Sequence, residues 1–252
     1  MELDGMVDTQ LEITKNRYEI ADLKVLMTTY YQRTKNQAMP YISKEQWNEA
    51  EADGVIDFDL DFYNERKQSG QQADYESIEY VWTGALFNRF LLDHNGCMLH
   101  SSAVVVDGYA YLFSADSGTG KSTHTQLWIK HFGEQAFIIN DDKPALRCIQ
   151  GQWYVYGTPW SGKTDLNVNT KVKLGAIVFL ERSKDNWIQE MSVKEAIPKF
   201  FNQTIRKLNM EEKMDLVLQN MECILTGNPI YKMGCNISDQ AVIMAYDKIR
   251  RV

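Results

Sequence analysis

The sequence predicts a mixed α/β fold whose sheet is largely antiparallel. Three observations support this prediction. Asp107 and Gly108 lie between two β-rich runs, and an Asp-Gly pair in this setting is a strong signal for a two-residue hairpin. Residues 75–92 carry apolar side chains at helical spacing. Between residues 109 and 132, a β-rich run leads through a glycine-rich segment into a helical one.

The first part of the chain has the weakest pattern. Residues 1–73 are predicted to form an irregular accessory region, and residues 74–252 a separate domain. Acidic residues dominate positions 45–79, which indicates a solvated face or, alternatively, a docking surface for a basic partner. Residues 69–72 are predicted to be a loop. The helix over 75–92 is predicted to end at residues 94–96, with Gly96 in a left-handed conformation.

The other elements follow from turn signals, apolar runs and helix caps. In chain order, they are strands at 103–106 and 109–113, a helix at 121–132, a strand at 137–140, a hairpin of 145–149 with 153–156, a strand at 176–180, a helix that starts at the Ser192–Glu195 capping box and ends near residue 207, a helix capped by Asn209 that ends at Gly227, a strand at 230–235 and a last helix capped by Ser238.

Composition excludes several classes of protein. The chain has 252 residues, 44% of them hydrophobic, and a net charge of −7, so it lacks the basic footprint of a nucleic-acid binder. No apolar run approaches the roughly 20 residues of a membrane span. The N-terminus is acidic, unlike a signal peptide. We therefore expect a cytoplasmic protein with no membrane partner. The four cysteines include no C-x-x-C pair, which argues against a zinc site or a disulfide framework.

Residues 115–122 nearly match the phosphate-loop pattern G-x-x-x-x-G-K-[ST], with Ala115 in place of the first glycine. Gly118 and Gly120 allow backbone N–H groups to turn toward phosphate oxygens at a helix N-terminus. Lys121 would reach the β- and γ-phosphates, and the Ser122 hydroxyl would bind Mg²⁺. The alternative is a glycine-rich turn before an ordinary helix. The predicted fold is thus a P-loop fold, and the residues predicted to bind ATP are Ser117, Gly118, Thr119, Gly120, Lys121, Ser122 and Thr123.

Asp141 and Asp142 follow an apolar strand about 20 residues after the lysine of this loop. Neighbouring residues of an extended chain point to opposite sides, so one carboxylate is predicted to hold Mg²⁺ while the other accepts a proton from a hydroxyl. A surface turn is the alternative for this pair. His100 precedes the first hairpin, and by itself such a histidine is more often a packed residue.

Three segments together resemble HPr kinase/phosphorylase and phosphoenolpyruvate carboxykinase over about residues 95–182. They are LHSSA (99–103) before the hairpin, FSADSGTGKST (113–123) and NDD (140–142). The resemblance implies an unusual P-loop fold with a mixed sheet. It places His100 at the active site, where the carboxykinases use a histidine as a metal ligand. It also implies divalent metal at Asp141 and Asp142, with a catalytic aspartate base in the kinases; we favour Asp142 as metal ligand and Asp141 as base.

The chain is more similar to divergent HPr-kinase-related enzymes, such as the serine kinases that modify ribosomal peptides, than to either family's typical member. It is too short for a carboxykinase, and no glycine-rich kinase signature follows the strand at 176–180. HPr protein is therefore a doubtful acceptor. Because related kinases are oligomers, the resemblance also implies that the chain can form a homo-oligomer.

Two further cations are candidates for the transferring phosphoryl group. Residues 157–164 are rich in turn formers, and Lys163 within them is placed to meet the γ-phosphate or the acceptor, unless this stretch is only an exposed turn. Arg182 follows an apolar strand and is the second candidate. Trp160, in the same turn-rich stretch, is predicted to pack in the core, with stacking on adenine as the alternative.

The sequence therefore predicts a kinase that uses ATP and Mg²⁺, or Mn²⁺, to phosphorylate a hydroxyl of a peptide, a protein or a small molecule. The candidate catalytic residues are Asp141, Asp142, His100, Lys163 and Arg182, and the metal ligands are Ser122, Asp142 and Asp141. Two alternatives remain. One is a small carboxykinase-like enzyme with Mn²⁺ at His100 and Asp142. The other is a nucleotide-sensing regulator whose residues 1–73 bind a partner.

Overall fold

Nine strands form the larger of two sheets in the computed structural model, which describes residues 12–69, 73–204 and 210–251. The strands are β1 (Thr14–Ile20), β2 (Leu23–Thr29), β3 (Gly54–Ile56), β4 (Gly96–Met98), β5 (Ser101–Val106), β6 (Tyr109–Ser114), β7 (Ala136–Asn140), β8 (Ala145–Ile149), β9 (Gln152–Tyr156), β10 (Lys171–Arg182), β11 (Trp187–Glu190) and β12 (Ile230–Cys235). The helices are α1 (Gln32–Ala38), α2 (Leu60–Gln68), α3 (Tyr75–Asp93), α4 (Lys121–Phe132), α5 (Val193–Gln203), α6 (Met214–Gly227) and α7 (Asp239–Ile249).

The large sheet is mixed and mostly antiparallel, as predicted. Its main path runs β4-β8-β9-β10-β6-β5-β7, and β12 joins β10 and carries β11 at its other edge. β6 and β12 each pair with β10 in parallel, while the other described strand pairs of this sheet are antiparallel. The three parallel strands β6, β10 and β12 therefore end at the same side of the sheet.

Helices cover both faces of this sheet, because alternate residues of a strand point to opposite faces. Val104 and Val106 pack in a buried cluster with residues of α4 and α7. Ala103 and Val105 belong to a second cluster with residues of α3, α5 and α6. This alternation explains why the apolar run of β5 is buried along its whole length.

The predicted Asp-Gly hairpin is confirmed. Asp107 has φ +51° and Gly108 φ +75°, the left-handed pair that a type I′ turn requires. Val106 then pairs with Tyr109, and the register continues to Ser101 opposite Ser114. The strand that precedes the glycine-rich loop is therefore antiparallel to its predecessor in sequence. Helix α4 has the predicted bounds.

The end of α3 differs from the prediction in one residue. Asn95, with φ +55°, takes the left-handed conformation, and Gly96 begins β4 instead. Gly96 is needed for close packing, because a Cβ atom there would lie 2.5 Å from the carbonyl oxygen of Leu146 on the neighbouring strand β8. Strand β10 is also longer than predicted and extends from Lys171 to Arg182.

The later helices are capped as predicted, but α5 is shorter. Ser192 and Glu195 form the capping box of α5, and the Ser238 side chain caps α7. Helix α5 ends at Gln203 instead of near residue 207, because Thr204 is extended and bridges to Leu99. The predicted cap Asn209 and most of the predicted loop at 69–72 lie outside the described residues. Among the described helices, none combines the length and apolar character needed to cross a bilayer.

The prediction that residues 1–73 are irregular is wrong for the part that the structure describes. β1 and β2 form an antiparallel hairpin through Ala21 and Asp22, which both have positive φ, and β3 pairs with β2 in parallel. Ala-Asp is not a typical turn pair, so the sequence gives no local signal for this hairpin. Tyr18 and Met27 share a buried cluster with Phe87 of α3 and with Trp160. A domain boundary between residues 73 and 74 stays a prediction.

Candidate functional site

The glycine-rich loop joins the end of β6 to the start of α4. Gly118 has φ +79° and Gly120 φ +119°, conformations that favour glycine. A Cβ atom at either position would meet no atom within 4 Å, so the space in front of the loop is open. The loop thus places glycine backbone and the N-terminus of α4 against a free volume, which is the arrangement that anions favour.

Lys121 is buried at the first position of α4. Its Nζ donates to the carbonyl oxygens of Ala115, at 2.8 Å, and Asp116, at 3.3 Å. Burial lowers the pKa of Lys121, and the carboxylates of Asp142, Asp116 and Asp141 oppose this effect. The ammonium group therefore lies against the glycine-rich loop and within the field of the acidic pair.

One cavity of about 440 Å³ brings the loop and the acidic pair together. We call it the loop cavity. Most of the residues predicted for the site line it, and Thr119 and Arg182 are the exceptions. Its lining consists of Arg33, His100, Ser117, Gly118, Gly120, Lys121, Ser122, Thr123, Asp141, Asp142, Gly162, Lys163 and Thr164.

Asp141 and Asp142 follow the end of β7 at Asn140, so they are not part of the strand and both line the loop cavity. The predicted opposite orientation along a strand therefore does not apply. Their partners differ instead. Asp141 accepts hydrogen bonds from the hydroxyls of Ser102, at 2.5 Å, and Thr164, at 2.8 Å.

Asp142 has charged and phenolic partners. Its Oδ2 accepts from Lys143 and, at 2.5 Å, from the Tyr80 hydroxyl. Burial alone would raise the pKa of Asp142, but Lys143, Tyr80 and His100 outweigh it and hold the pKa below its usual range. Asp142 therefore keeps its negative charge more firmly than an isolated carboxylate and is a weaker proton acceptor.

His100 links Asp142 to the glycine-rich loop. Its Nδ1 lies 3.0 Å from Oε1 of Gln203, and Nε2 of Gln203 donates to Asp116 at 2.8 Å. Because the amide oxygen only accepts, Nδ1 is the protonated nitrogen, and Nε2 lies 3.4 Å from Oδ1 of Asp142. Burial and the charge of Lys121 lower the pKa of His100, which favours the neutral ring.

The turn that carries Lys163 is held by residues that the motifs did not indicate. Arg33 and Gln37 of α1 donate to the carbonyl oxygen of Gly162, at 3.1 and 2.9 Å. The Gly162 N–H donates to the Tyr80 hydroxyl at 2.9 Å, and the Arg33 guanidinium lies 4.0 Å from the Tyr80 ring centre. The first 73 residues thus contribute directly to the loop cavity.

Arg182 lies on another side of the glycine-rich loop. Its guanidinium donates to the carbonyl oxygens of Gly118 and, at 3.3 Å, Thr119. It lines a neighbouring cavity instead of the loop cavity. Trp160 is fully buried and stacks on Phe87, which confirms its predicted place in the core.

Some residues of the site had a sequence signal and others had none. Lys143 directly follows the acidic pair, and Thr164 is the last residue of the turn-rich stretch at 157–164. Both residues are therefore adjacent to motifs that the sequence shows, and their place in the site was predictable. Arg33, Tyr80 and Gln203 belong to elements far away in the sequence and carry no motif.

No cluster of three or more His, Cys, Asp and Glu side chains suited to a metal occurs in the described parts of the chain. This does not conflict with the predicted ligands, because Mg²⁺ at phosphate-binding sites usually takes one or two carboxylates and completes its shell with phosphates and water. Ser122, Asp141 and Asp142 all line the loop cavity, so the oxygen donors present fit such an ion.

No protein-family model and no curated protein matches the sequence. A solved structure that resembles the chain is described as "Structure of the Hpr(Ser) kinase/phosphatase from Coxiella burnetii". It shares 11% sequence identity with the chain, at a TM-score of 0.35. The alignment covers 60% of this chain and 95% of the other.

Proposed function

We propose that the protein is a kinase that transfers the γ-phosphoryl group of ATP to a hydroxyl group with the help of Mg²⁺. The observation that carries this proposal is the loop cavity, in which an open glycine-rich loop, a buried lysine and two carboxylates face the same space. An ordinary glycine-rich turn needs neither the lysine nor the acidic pair.

The glycine-rich loop and Lys121 would bind the phosphates. The N–H groups at the start of α4 donate to phosphate oxygens, and Lys121 exchanges its two carbonyl partners for the β- and γ-phosphates. Ser122 and Asp142 would hold Mg²⁺, which neutralises charge on the phosphates when bound. The lowered pKa of Asp142 supports its assignment as an ionised ligand.

Asp141 would act as the base. Transfer forms a bond between the acceptor oxygen and the γ-phosphorus and breaks the bond from that phosphorus to the oxygen bridging it to the β-phosphate. The hydroxyl proton passes to the carboxylate of Asp141. The hydroxyl of Thr164, which lines the cavity, already donates to this carboxylate at 2.8 Å, and that contact supports its assignment as an acceptor for an O–H group. Lys163, which lines the same cavity, would offset the charge of the phosphoryl group.

Binding is tested by replacing Lys121 with alanine. Because Lys121 supplies a charge that the phosphates need, we expect Lys121→Ala to lose most of the rise in melting temperature that Mg-ATP produces in the wild type. Lys130→Ala on the same helix is the matched control, since Lys130 is exposed and lies outside the cavity. An equal shift in wild type and Lys121→Ala would refute phosphate binding at this loop.

The catalytic roles are separated by Asp141→Asn and Asp142→Asn. Loss of the base should leave Mg-ATP affinity nearly intact and reduce phosphoryl transfer about 10²- to 10⁴-fold, whereas loss of the ligand should weaken Mg-dependent binding. Transfer is measured as ATP turnover with water and with a panel of serine peptides and small alcohols. Asp185→Asn, at an exposed site, serves as control. If both variants bind Mg-ATP and turn it over like the wild type, Asp141 and Asp142 form only a surface turn and have no catalytic role.

A carboxykinase-like reaction with Mn²⁺ is the second candidate. It is favoured by His100, because burial and Lys121 lower the pKa of its ring and its Nε2 lies 3.4 Å from Oδ1 of Asp142. An unprotonated imidazole nitrogen beside a carboxylate suits a transition metal. Activity that requires Mn²⁺ and oxaloacetate, and that His100→Asn abolishes, would favour this candidate over the kinase.

A further inference from the structure

Lys143 forms an ion pair with Asp142 and is fixed at both ends of its side chain. Its Nζ donates to Oδ2 of Asp142 and, at 3.2 Å, to the Tyr80 hydroxyl, and it lies 4.4 Å from the centre of the Tyr80 ring. The backbone N–H of Lys143 is shared between Oδ1 of Asn140, at 2.7 Å, and the carbonyl oxygen of Trp160, at 3.1 Å. These contacts hold the ammonium group against one oxygen of Asp142.

The ion pair is largely shielded from water. The side chains of Lys143 and Asp142 are 16% and 19% exposed. Partly buried charges are screened by salt much less than exposed ones, so each charge acts strongly on the other. Burial raises the pKa of Asp142, and Lys143 makes the largest of the contributions that lower it. Lys143 is therefore the main counter-charge of this carboxylate.

We propose that Lys143 keeps free divalent cations away from Asp142, so that the site takes up the metal only as its complex with the nucleotide. This inference rests on the proposed function, which assigns Asp142 as a metal ligand. It adds to that function the form of the substrate and the order in which metal and nucleotide bind.

Charge opposes the binding of a metal ion by itself. An ammonium group and a divalent cation that share one carboxylate repel each other, and the repulsion is strong where little water separates them. A nucleotide changes this balance, because its phosphates add negative charge and supply oxygen ligands of their own. Lys143 thus weakens the site for a free ion more than for an ion that is already bound to phosphates.

The neighbouring side chains do not compensate for this repulsion. Within the ranges 12–69, 73–204 and 210–251, no group of three or more His, Cys, Asp and Glu side chains is placed to hold a metal ion. The carboxylate of Asp141 already accepts from the hydroxyls of Ser102 and Thr164, at 2.5 and 2.8 Å. Lys143 therefore guards a carboxylate that has too few protein ligands beside it to bind a free ion tightly.

Titration with Mn²⁺ in place of Mg²⁺, followed by the relaxation rate of water protons, tests the inference without an activity assay. We expect Lys143→Met to bind free Mn²⁺ about tenfold more tightly than the wild type, because methionine keeps most of the length of lysine and lacks its charge. Asp142→Asn combined with Lys143→Met should remove this gain.

Lys163→Met is the matched control. Lys163 also lines the loop cavity, but no ion pair joins it to Asp142 in the part of the chain that the structure describes. Its replacement removes the same charge from the same cavity and should leave the affinity for free Mn²⁺ nearly unchanged.

Three results would overturn the inference. They are equal affinity of wild type and Lys143→Met for free Mn²⁺, an equal gain in Lys163→Met, and a gain in Lys143→Met that survives Asp142→Asn. In each case, binding of Mn-ATP by the wild type would leave the proposed function standing. A wild type that binds no Mn-ATP would refute the proposed function, and the inference would fail with it.

The wild type alone provides a second measurement, which does not depend on the folding of any variant. We expect it to bind free Mn²⁺ more weakly than Mn-ATP. Affinity for free Mn²⁺ as high as that for Mn-ATP would contradict the role of Lys143.

Discussion

Replacing the buried carboxyl group of Glu79 with an amide should make the stability of the protein less sensitive to pH. Glu79 is fully buried on α3, although the acidic run to which it belongs was predicted to be solvated. Its carboxyl oxygens accept from the backbone N–H groups of Tyr30, at 2.6 Å, and Tyr31, at 3.2 Å. Glu79 thereby anchors the start of α1, the helix that carries Arg33 into the loop cavity.

The size of this pH effect on folding stability follows from the pKa of Glu79. Burial raises the pKa of Glu79 from 4.5 to about 7, against the opposing effect of the hydrogen bonds. Between these two values the folded protein holds a proton that the unfolded chain has released, so stability falls as pH rises. Each pKa unit corresponds to about 1.4 kcal/mol, so ionising Glu79 costs the folded state roughly 3 kcal/mol by pH 7.

The assay is urea unfolding of wild type and Glu79→Gln at several pH values between 4.5 and 7.5. His124 acts with the opposite sign, because burial lowers its pKa from 6.5 to about 4 and the unfolded chain takes up the proton instead. That effect is common to both proteins and cancels in their difference. The stability of wild type relative to Glu79→Gln should fall by roughly 3 kcal/mol over this interval.

The test is the pH dependence of stability and not its absolute value. The amide group of Glu79→Gln cannot accept hydrogen bonds from both backbone N–H groups, so this variant is less stable than wild type by about 1–3 kcal/mol at every pH. Glu222→Gln, at an exposed position of α6, should leave the pH dependence of wild type unchanged. A constant difference between wild type and Glu79→Gln from pH 4.5 to 7.5 would refute the raised pKa.

Two further substitutions test how the turn around Gly162 is held. Gly162→Ala should destabilise the protein by about 1–2 kcal/mol in urea unfolding, because φ is +77° and the new methyl group would lie 3.0 Å from Cβ of Asp142. Unchanged stability would show that the turn relaxes freely. Arg33→Met should lower phosphoryl transfer about tenfold and stability by about 1 kcal/mol, because it removes a hydrogen bond to Gly162 and the stacking on Tyr80. A wild-type rate of phosphoryl transfer in Arg33→Met would show that Arg33 does not contribute to the active site.

Much of the fold was predictable from local patterns. The Asp107-Gly108 hairpin, helix α4 and the caps at Ser192 and Ser238 depend on backbone conformations that a few neighbouring residues favour by themselves. The N-terminal hairpin was missed because its Ala-Asp turn has no such local preference and is stabilised by packing against α3.

The candidate site likewise contains some features that the local sequence determines and others that depend on contacts between distant elements. The sequence by itself determined the glycine-rich loop with Lys121 and the acidic pair after β7, because these residues are close together in the chain and their chemistry is readable from type and spacing. Only the tertiary structure decided that Arg33 and Tyr80 support the Gly162 turn, that Gln203 orients His100, and that Arg182 lies on the other side of the loop. Such contacts join elements up to 129 residues apart, as between Arg33 and Gly162, and no local pattern encodes them. They arise when the sheet and its two helical layers pack, and a single side chain at each contact leaves no periodic signal in the sequence.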